Sequence, residues 1–118
     1  MVKLPEFIHQ RIMGIDEFFQ TISDFTDTVY AIDVTNKFKK QLNLSFKRNL
    51  NLEILKDVVY LLAKGENLEP KYRMHKLEGY SEVVWECHVK PDWLLIWKYL
   101  DNQMVLILLE TGTHSDLF

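Results

Sequence analysis

With 118 residues, 47% of them hydrophobic and 13% aromatic, the chain has the length for one domain and the apolar content for a real core, which argues against disorder. Its richest apolar stretch, Trp93 to Trp97, is soon broken by Lys98 and Asp101, well short of the roughly 18 residues a membrane span requires. The single cysteine, Cys87, excludes an intrachain disulfide and a four-cysteine zinc site, and no secretory signal is read at the amino terminus, so a reducing cytoplasm is the expected compartment.

The net charge of −3 is unevenly placed. Residues 1–28 carry two basic against five acidic groups, and residues 29–118 carry twelve of each. Residues 1–28 are expected to be an N-terminal extension and 29–118 the main domain, a division implied by the family resemblance given below. In the extension Ile15, Phe18, Phe19, Ile22 and Phe25 recur at helical spacing and predict a helix near residues 14–25. Val29 to Val34 reads as a short strand. Thr35 or Asn36 then caps a helix that carries Phe38, Leu42, Leu44 and Phe46 and ends at Asn49 and Asn51. This helix also holds Lys37, Lys39 and Lys40, with Lys47 and Arg48 at its end. From Leu52 the apolar residues Ile54, Leu55, Val58, Val59, Leu61 and Leu62 keep a helical period, and Gly65 supplies a left-handed stop.

Beyond the loop from Glu66 to Tyr72 the pattern turns to β. Val83 to Val89, Trp93 to Leu100 and Met104 to Leu109 are rich in branched and aromatic residues, with turn signals at Pro91-Asp92 and Asp101-Asn102. The expected fold is α+β: an antiparallel sheet made of a three-stranded meander plus the first strand, with the helices on one face. The tail from Thr111 leaves the last strand and runs to Phe118.

His75, His88 and His114 fall in or beside the sheet half, and Asp92 follows His88 by four residues. Cleaving RNA without a metal requires a base for the 2′-hydroxyl, an acid for the departing 5′-oxygen and positive charge beside the phosphate. Imidazole performs either proton transfer near neutrality, each typically worth about 10²–10⁴-fold in rate. Taken singly, each histidine is as well explained as an exposed polar residue at a strand end. Zinc or iron could use the same residues, yet there is no HxH, HExxH or cysteine pair to form a chelate, and no GxGxxG or Walker loop for a nucleotide. Cys87 and His88 are adjacent in a strand and so face opposite ways, which places Cys87 in the core.

Three segments, in order and with intact spacing, resemble YafQ-like toxins of the RelE superfamily: Tyr72-Arg73-Met74-His75-Lys76-Leu77-Glu78-Gly79, Trp85-Glu86-Cys87-His88-Val89-Lys90-Pro91-Asp92-Trp93-Leu94-Leu95-Ile96-Trp97, and Thr111-Gly112-Thr113-His114-Ser115-Asp116-Leu117-Phe118. The resemblance runs from about Tyr30 to Phe118. It implies a RelE-like fold and a toxin that cleaves messenger RNA in the A site of the 30S subunit without a cofactor. It also implies neutralisation by a DinJ- or RelB-like antitoxin in a hetero-oligomer, the free toxin being a monomer. Carried over residue by residue, it makes His75, His88, Asp92 and His114 the catalytic set, with Trp93 and Phe118 the aromatic residues of the site. The expected roles, which can be permuted, are His75 as base, His114 as acid, and His88 with Asp92 orienting the phosphate. Glu86 matches an acidic position near the family's site, although its plain reading is a strand-surface charge.

Two positions depart from the pattern. Glu110 stands where an arginine often precedes Thr-Gly-Thr-His, and Trp85 stands where another is common. Lys71, Arg73, Lys76 and Lys90 are therefore the expected suppliers of positive charge to the substrate. An acidic Glu110 would repel phosphate unless it points away. The competing expectations are a topoisomerase-inhibiting module of the same fold, which needs no cluster of imidazoles, and a catalytically weak antitoxin-binding module.

Overall fold

The computed structural model describes residues 12–118, so residues 1–11 of the expected extension lie outside the described part. Helix α1, Ile15–Ser23, is shorter than expected because the Asp24 N–H turns back onto the carbonyls of Gln20 and Thr21. Its apolar stripe places Phe18 and Ile22, one turn apart, in the core, where it packs on the two later helices and the first strand.

Strand β1 is confined to Ala31–Val34. Val29 and Tyr30, expected in it, instead donate their N–H groups to the Ala63 carbonyl at 3.0 and 2.9 Å. They close the end of a helix rather than a ladder. Thr35 does cap helix α2, Asn36–Lys47: its Oγ1 accepts from Phe38 N at 3.0 Å and donates to Leu109 O at 2.7 Å, tying the helix start to the last strand. Asn49, at φ 62°, takes the left-handed conformation beyond α2. Asn51 then caps helix α3, Leu52–Ala63, and Gly65 at φ 76° stops it as expected.

A 3-10 turn at Pro70–Tyr72 leads to β2, a two-residue strand His75–Lys76 that the sequence pattern did not indicate. β3, Trp85–Lys90, β4, Trp93–Leu100, and β5, Val105–Gly112, form the expected antiparallel meander. Across the five-stranded sheet the order is β1-β5-β4-β3-β2. The expectation of a fully antiparallel sheet is corrected at one edge: β1 pairs with β5 in parallel, Ala31 opposite Val105 through Val34 opposite Leu108. A parallel pair needs a long crossover, and everything between β1 and β5 serves as one. The sheet is mixed.

The helices cover one sheet face. Phe18, Phe38, Leu42, Leu55, Val59 and Leu62 meet Cys87, Val89, Trp93, Leu95, Trp97, Leu106 and Leu108 in a single core. As a central strand, β4 is buried continuously from Trp93 to Trp97, which is why it reads as a solid apolar run. No helix of the described residues is long and apolar enough to cross a membrane.

Candidate active site

Strand register explains why residues far apart in sequence meet. His88 on β3 lies opposite Leu94 on β4, and Leu94 lies opposite Gly112 at the end of β5. The Pro91-Asp92 turn and the chain leaving β5 therefore emerge side by side. A register shift between His88 and Lys90 adds a bulge just before the turn, a distortion that re-aims side chains at a strand end. After Gly112 the chain folds into a short helix, α4, His114–Leu117, opened by a capping box between Thr113 and Asp116.

His114 sits on the first residue of α4. Its main-chain N–H and its Nδ1 approach Asp92 Oδ1 at 3.4 and 3.3 Å, its ring lies 5.8 Å from that of His88, and the Phe118 ring lies 6.3 Å away on the other side. His88 Nδ1 is 3.2 Å from the Pro91 carbonyl. A carbonyl only accepts, so Nδ1 carries the proton there and Nε2 is left as a base. A carboxylate also only accepts, so His114 Nδ1 donates its N–H to Asp92 Oδ1. His88, Asp92, His114 and Phe118 form one connected group.

His75 stands on the neighbouring strand and touches Arg73 and Glu86 rather than the other two imidazoles. It lies opposite Glu86, two residues before His88 on the same face of β3. Its Nδ1 is 2.7 Å from the Arg73 carbonyl and its Nε2 3.2 Å from Glu86 Oε1. Arg73 supplies that carbonyl from a left-handed backbone conformation, φ 52°, uncommon for a residue with a side chain. Glu86 is not the surface charge its strand position suggested. It is 5% exposed, and among the described residues its buried Oε2 has no hydrogen-bond partner.

The expected cations divide. Lys71, Arg73 and Lys90 line a cleft of about 530 Å³ together with His88, Tyr72 and Pro91. Lys76, next to His75 on a strand, faces the other way, with its Nζ 5.5 Å from the Trp85 ring and beside Tyr30 and Tyr99. It is therefore removed from the site. Trp93 also belongs elsewhere than expected: it is 1% exposed, and its indole N–H donates to Thr111 Oγ1 at 2.9 Å, so it is a wall beneath the site rather than a stacking surface. Phe118, 70% exposed, is available for stacking. Glu110 is turned to α2, where Lys37 Nζ lies at 3.0 Å and Gln41 Nε2 at 3.3 Å. It spares the site its repulsion.

Burial pushes the Cys87 thiol up to about 12, so it is an inert core group and no nucleophile. Asp116 is the opposite case. The Thr113 main-chain N–H, and after it Arg48, hold its carboxyl below the ordinary carboxylate range. Both Asp116 and Arg48 escaped sequence reasoning. The Thr113-x-x-Asp116 spacing carried a capping signal, whereas nothing in the sequence joined either to Arg48. Among the described residues no group of three or more His, Cys, Asp or Glu side chains is disposed to hold a metal ion.

Residues 30–118 match the family model of the YafQ bacterial toxin of type II toxin-antitoxin systems, and the chain belongs to that family. It is 34% identical over 88 residues to the mRNA interferase toxin YafQ of Escherichia coli K12, an alignment covering 74% of this chain and 94% of that protein. Among solved structures, a metal-bound toxin from Helicobacter pylori matches at 39% identity and TM-score 0.71, covering 74% of this chain and 97% of the other. The toxin chain of the E. coli DinJ-YafQ toxin-antitoxin complex matches at 33% identity and TM-score 0.70, covering 76% and 98%.

Proposed function

We propose that this protein is an endoribonuclease toxin that cuts messenger RNA in the ribosomal A site by histidine acid-base chemistry and is neutralised by a DinJ-like antitoxin. The observation that carries the reading is the meeting of His88, Asp92 and His114 beside Phe118, with His88 also lining the cleft that holds Lys71, Arg73 and Lys90. Its support from outside the chain is the name of the E. coli relative, an mRNA interferase.

In the proposed reaction a base takes the proton of the 2′-hydroxyl and the oxygen attacks the adjacent phosphorus. The bond to the 5′-oxygen breaks, and an acid returns a proton to that oxygen. The products are a 2′,3′-cyclic phosphate and a 5′-hydroxyl. Hydrogen bonding favours exchanging two of the expected roles. His88, with Nδ1 committed to Pro91 O and Nε2 free, suits the base. His114, backed by the Asp92 carboxylate, suits the acid, since a carboxylate stabilises the imidazolium that must donate. His75 has an acceptor oxygen against each nitrogen, so it can donate to both only as a cation, the form that complements a phosphate. Phe118 is placed to stack on a base, a contact worth about 1–3 kcal/mol.

The antitoxin contact is proposed at the exposed Lys39 and Lys40 of α2, where an acidic segment finds complementary charge. Lys37, on the same helix, is engaged by Glu110. The reading is tested with purified protein, programmed ribosomes and a defined message. Cuts at the A-site codon ending in 2′,3′-cyclic phosphate, absent on naked RNA and insensitive to a chelator that leaves ribosomes assembled, are expected. Uncut message on ribosomes at micromolar protein would overturn it.

A further inference from the structure

We propose that Arg48 and Asp116 are positioning residues for the reaction: an ion pair between the end of α2 and the C-terminal turn that sets the place of His114. The inference rests on the proposed ribonuclease reading for its kinetic arm only. α4 is four residues long and none of its residues is fully buried, Asp116 and Leu117 being half-buried, so apolar burial holds it less firmly than the core holds the other helices. Its polar contacts converge on one carboxylate. Asp116 Oδ2 receives Arg48 NH1 at 2.6 Å and the Thr113 N–H at 2.9 Å, and the Asp116 N–H returns to Thr113 Oγ1 at 3.2 Å. Gly112 makes room for this: a Cβ there would lie 2.8 Å from Asp116 Oδ2 and 3.0 Å from Asp116 Cβ.

The capping box alone closes the turn on itself. Arg48 ties it to a rigid helix, since α2 is packed on β5 and begins on the Leu109 carbonyl. Because His114 meets Asp92 through both its ring and its main-chain N–H, a swing of the turn moves both contacts together. With side-chain exposures of 44% and 17% the pair contributes little to global stability. A displacement of about 1 Å at a reacting group, in contrast, costs on the order of 10²-fold in rate. The pair matters for geometry far more than for folding.

The test compares Arg48→Ala, Arg48→Lys, Asp116→Asn and the Arg48→Ala/Asp116→Asn double variant. Arg48→Ala changes an exposed side chain and is expected to melt within a few degrees of the wild type, roughly the shift of a surface contact. Its single-turnover rate on ribosomes should fall about 10- to 100-fold with KM unchanged, Arg48→Lys should recover part of the loss, and the double variant should be no slower than the slower single. Independently of cleavage, nuclear Overhauser contacts between the His88 and His114 rings should weaken in Arg48→Ala. Retention of those contacts, a wild-type rate, or a loss confined to KM, which would make Arg48 an RNA-binding residue, overturns the proposal. If the wild type itself cuts no message, the ring contacts still decide it.

Discussion

Helices α1 and α4 stand near opposite ends of the chain and are attached by opposite physics. α1 is held by side chains that cannot be hydrated without loss, with Phe18 fully buried against Phe19 and Phe38 and Ile22 6% exposed. Beyond its end, Phe25 lies 4.9 Å from the Tyr60 ring and Asp27 accepts from the Tyr60 hydroxyl at 2.6 Å. α4 has no fully buried residue, and its polar contacts gather on one carboxylate. Apolar burial is strong but blunt, whereas hydrogen bonds and charge are weak but directional. An end fixed by the first kind serves the core, and an end fixed by the second is where a side chain is aimed.

The largest effect that would break this contrast is at Phe18. Phe18→Ala is expected to cost about 3–5 kcal/mol of stability, read by denaturant unfolding, while the cutting rate per folded molecule in the cold stays at the wild-type level. A variant that keeps its stability but loses activity would show that α1 serves the site. A smaller effect separates the two ends by pH. Asp116 has its folded-state pKa below its unfolded one, so the stability it lends the turn is fully present above the ordinary carboxylate pKa of about 3.9 and is lost as pH falls through the lowered value. Amide exchange on acidification should therefore release Asp116 to Phe118 while α1, held in the core by Phe18 and Ile22, stays protected. Simultaneous release of both ends, or an identical profile in Asp116→Asn, would erase the distinction.

Much of the contrast was legible in the sequence, and the unread part has a common cause. The helical period of Ile15, Phe18 and Ile22, the cap at Thr35, the helix end at Asn49 and Asn51, the stop at Gly65 and the Pro91-Asp92 turn all act within a few residues, and they placed α1 to α3 and the meander. The parallel pairing of β1 with β5 depends on contacts across some 74 positions, Ala31 with Val105. Local pattern does not fix strand direction. Within the site, His75, His88, Asp92, His114 and Phe118 were named from the resemblance, while side-chain direction sorted the rest. Alternation along β2 sends Lys76 away from His75, and burial takes Trp93 beneath the surface. Glu86 and Arg48 were misjudged or missed because charged residues read as solvated until a partner appears, here His75 and Asp116.

The central claim is that His114, aimed from the C-terminal turn, protonates the leaving oxygen in a cut made on the ribosome. It is tested most directly by brief induction of the wild type and of His114→Ala, with the 5′ ends of cellular messages mapped at nucleotide resolution. The account predicts ends in phase with codons for the wild type and a fall of about 10²-fold or more in their yield for His114→Ala at equal protein level and equal thermal stability. Codon-phased ends at undiminished yield from His114→Ala would contradict it.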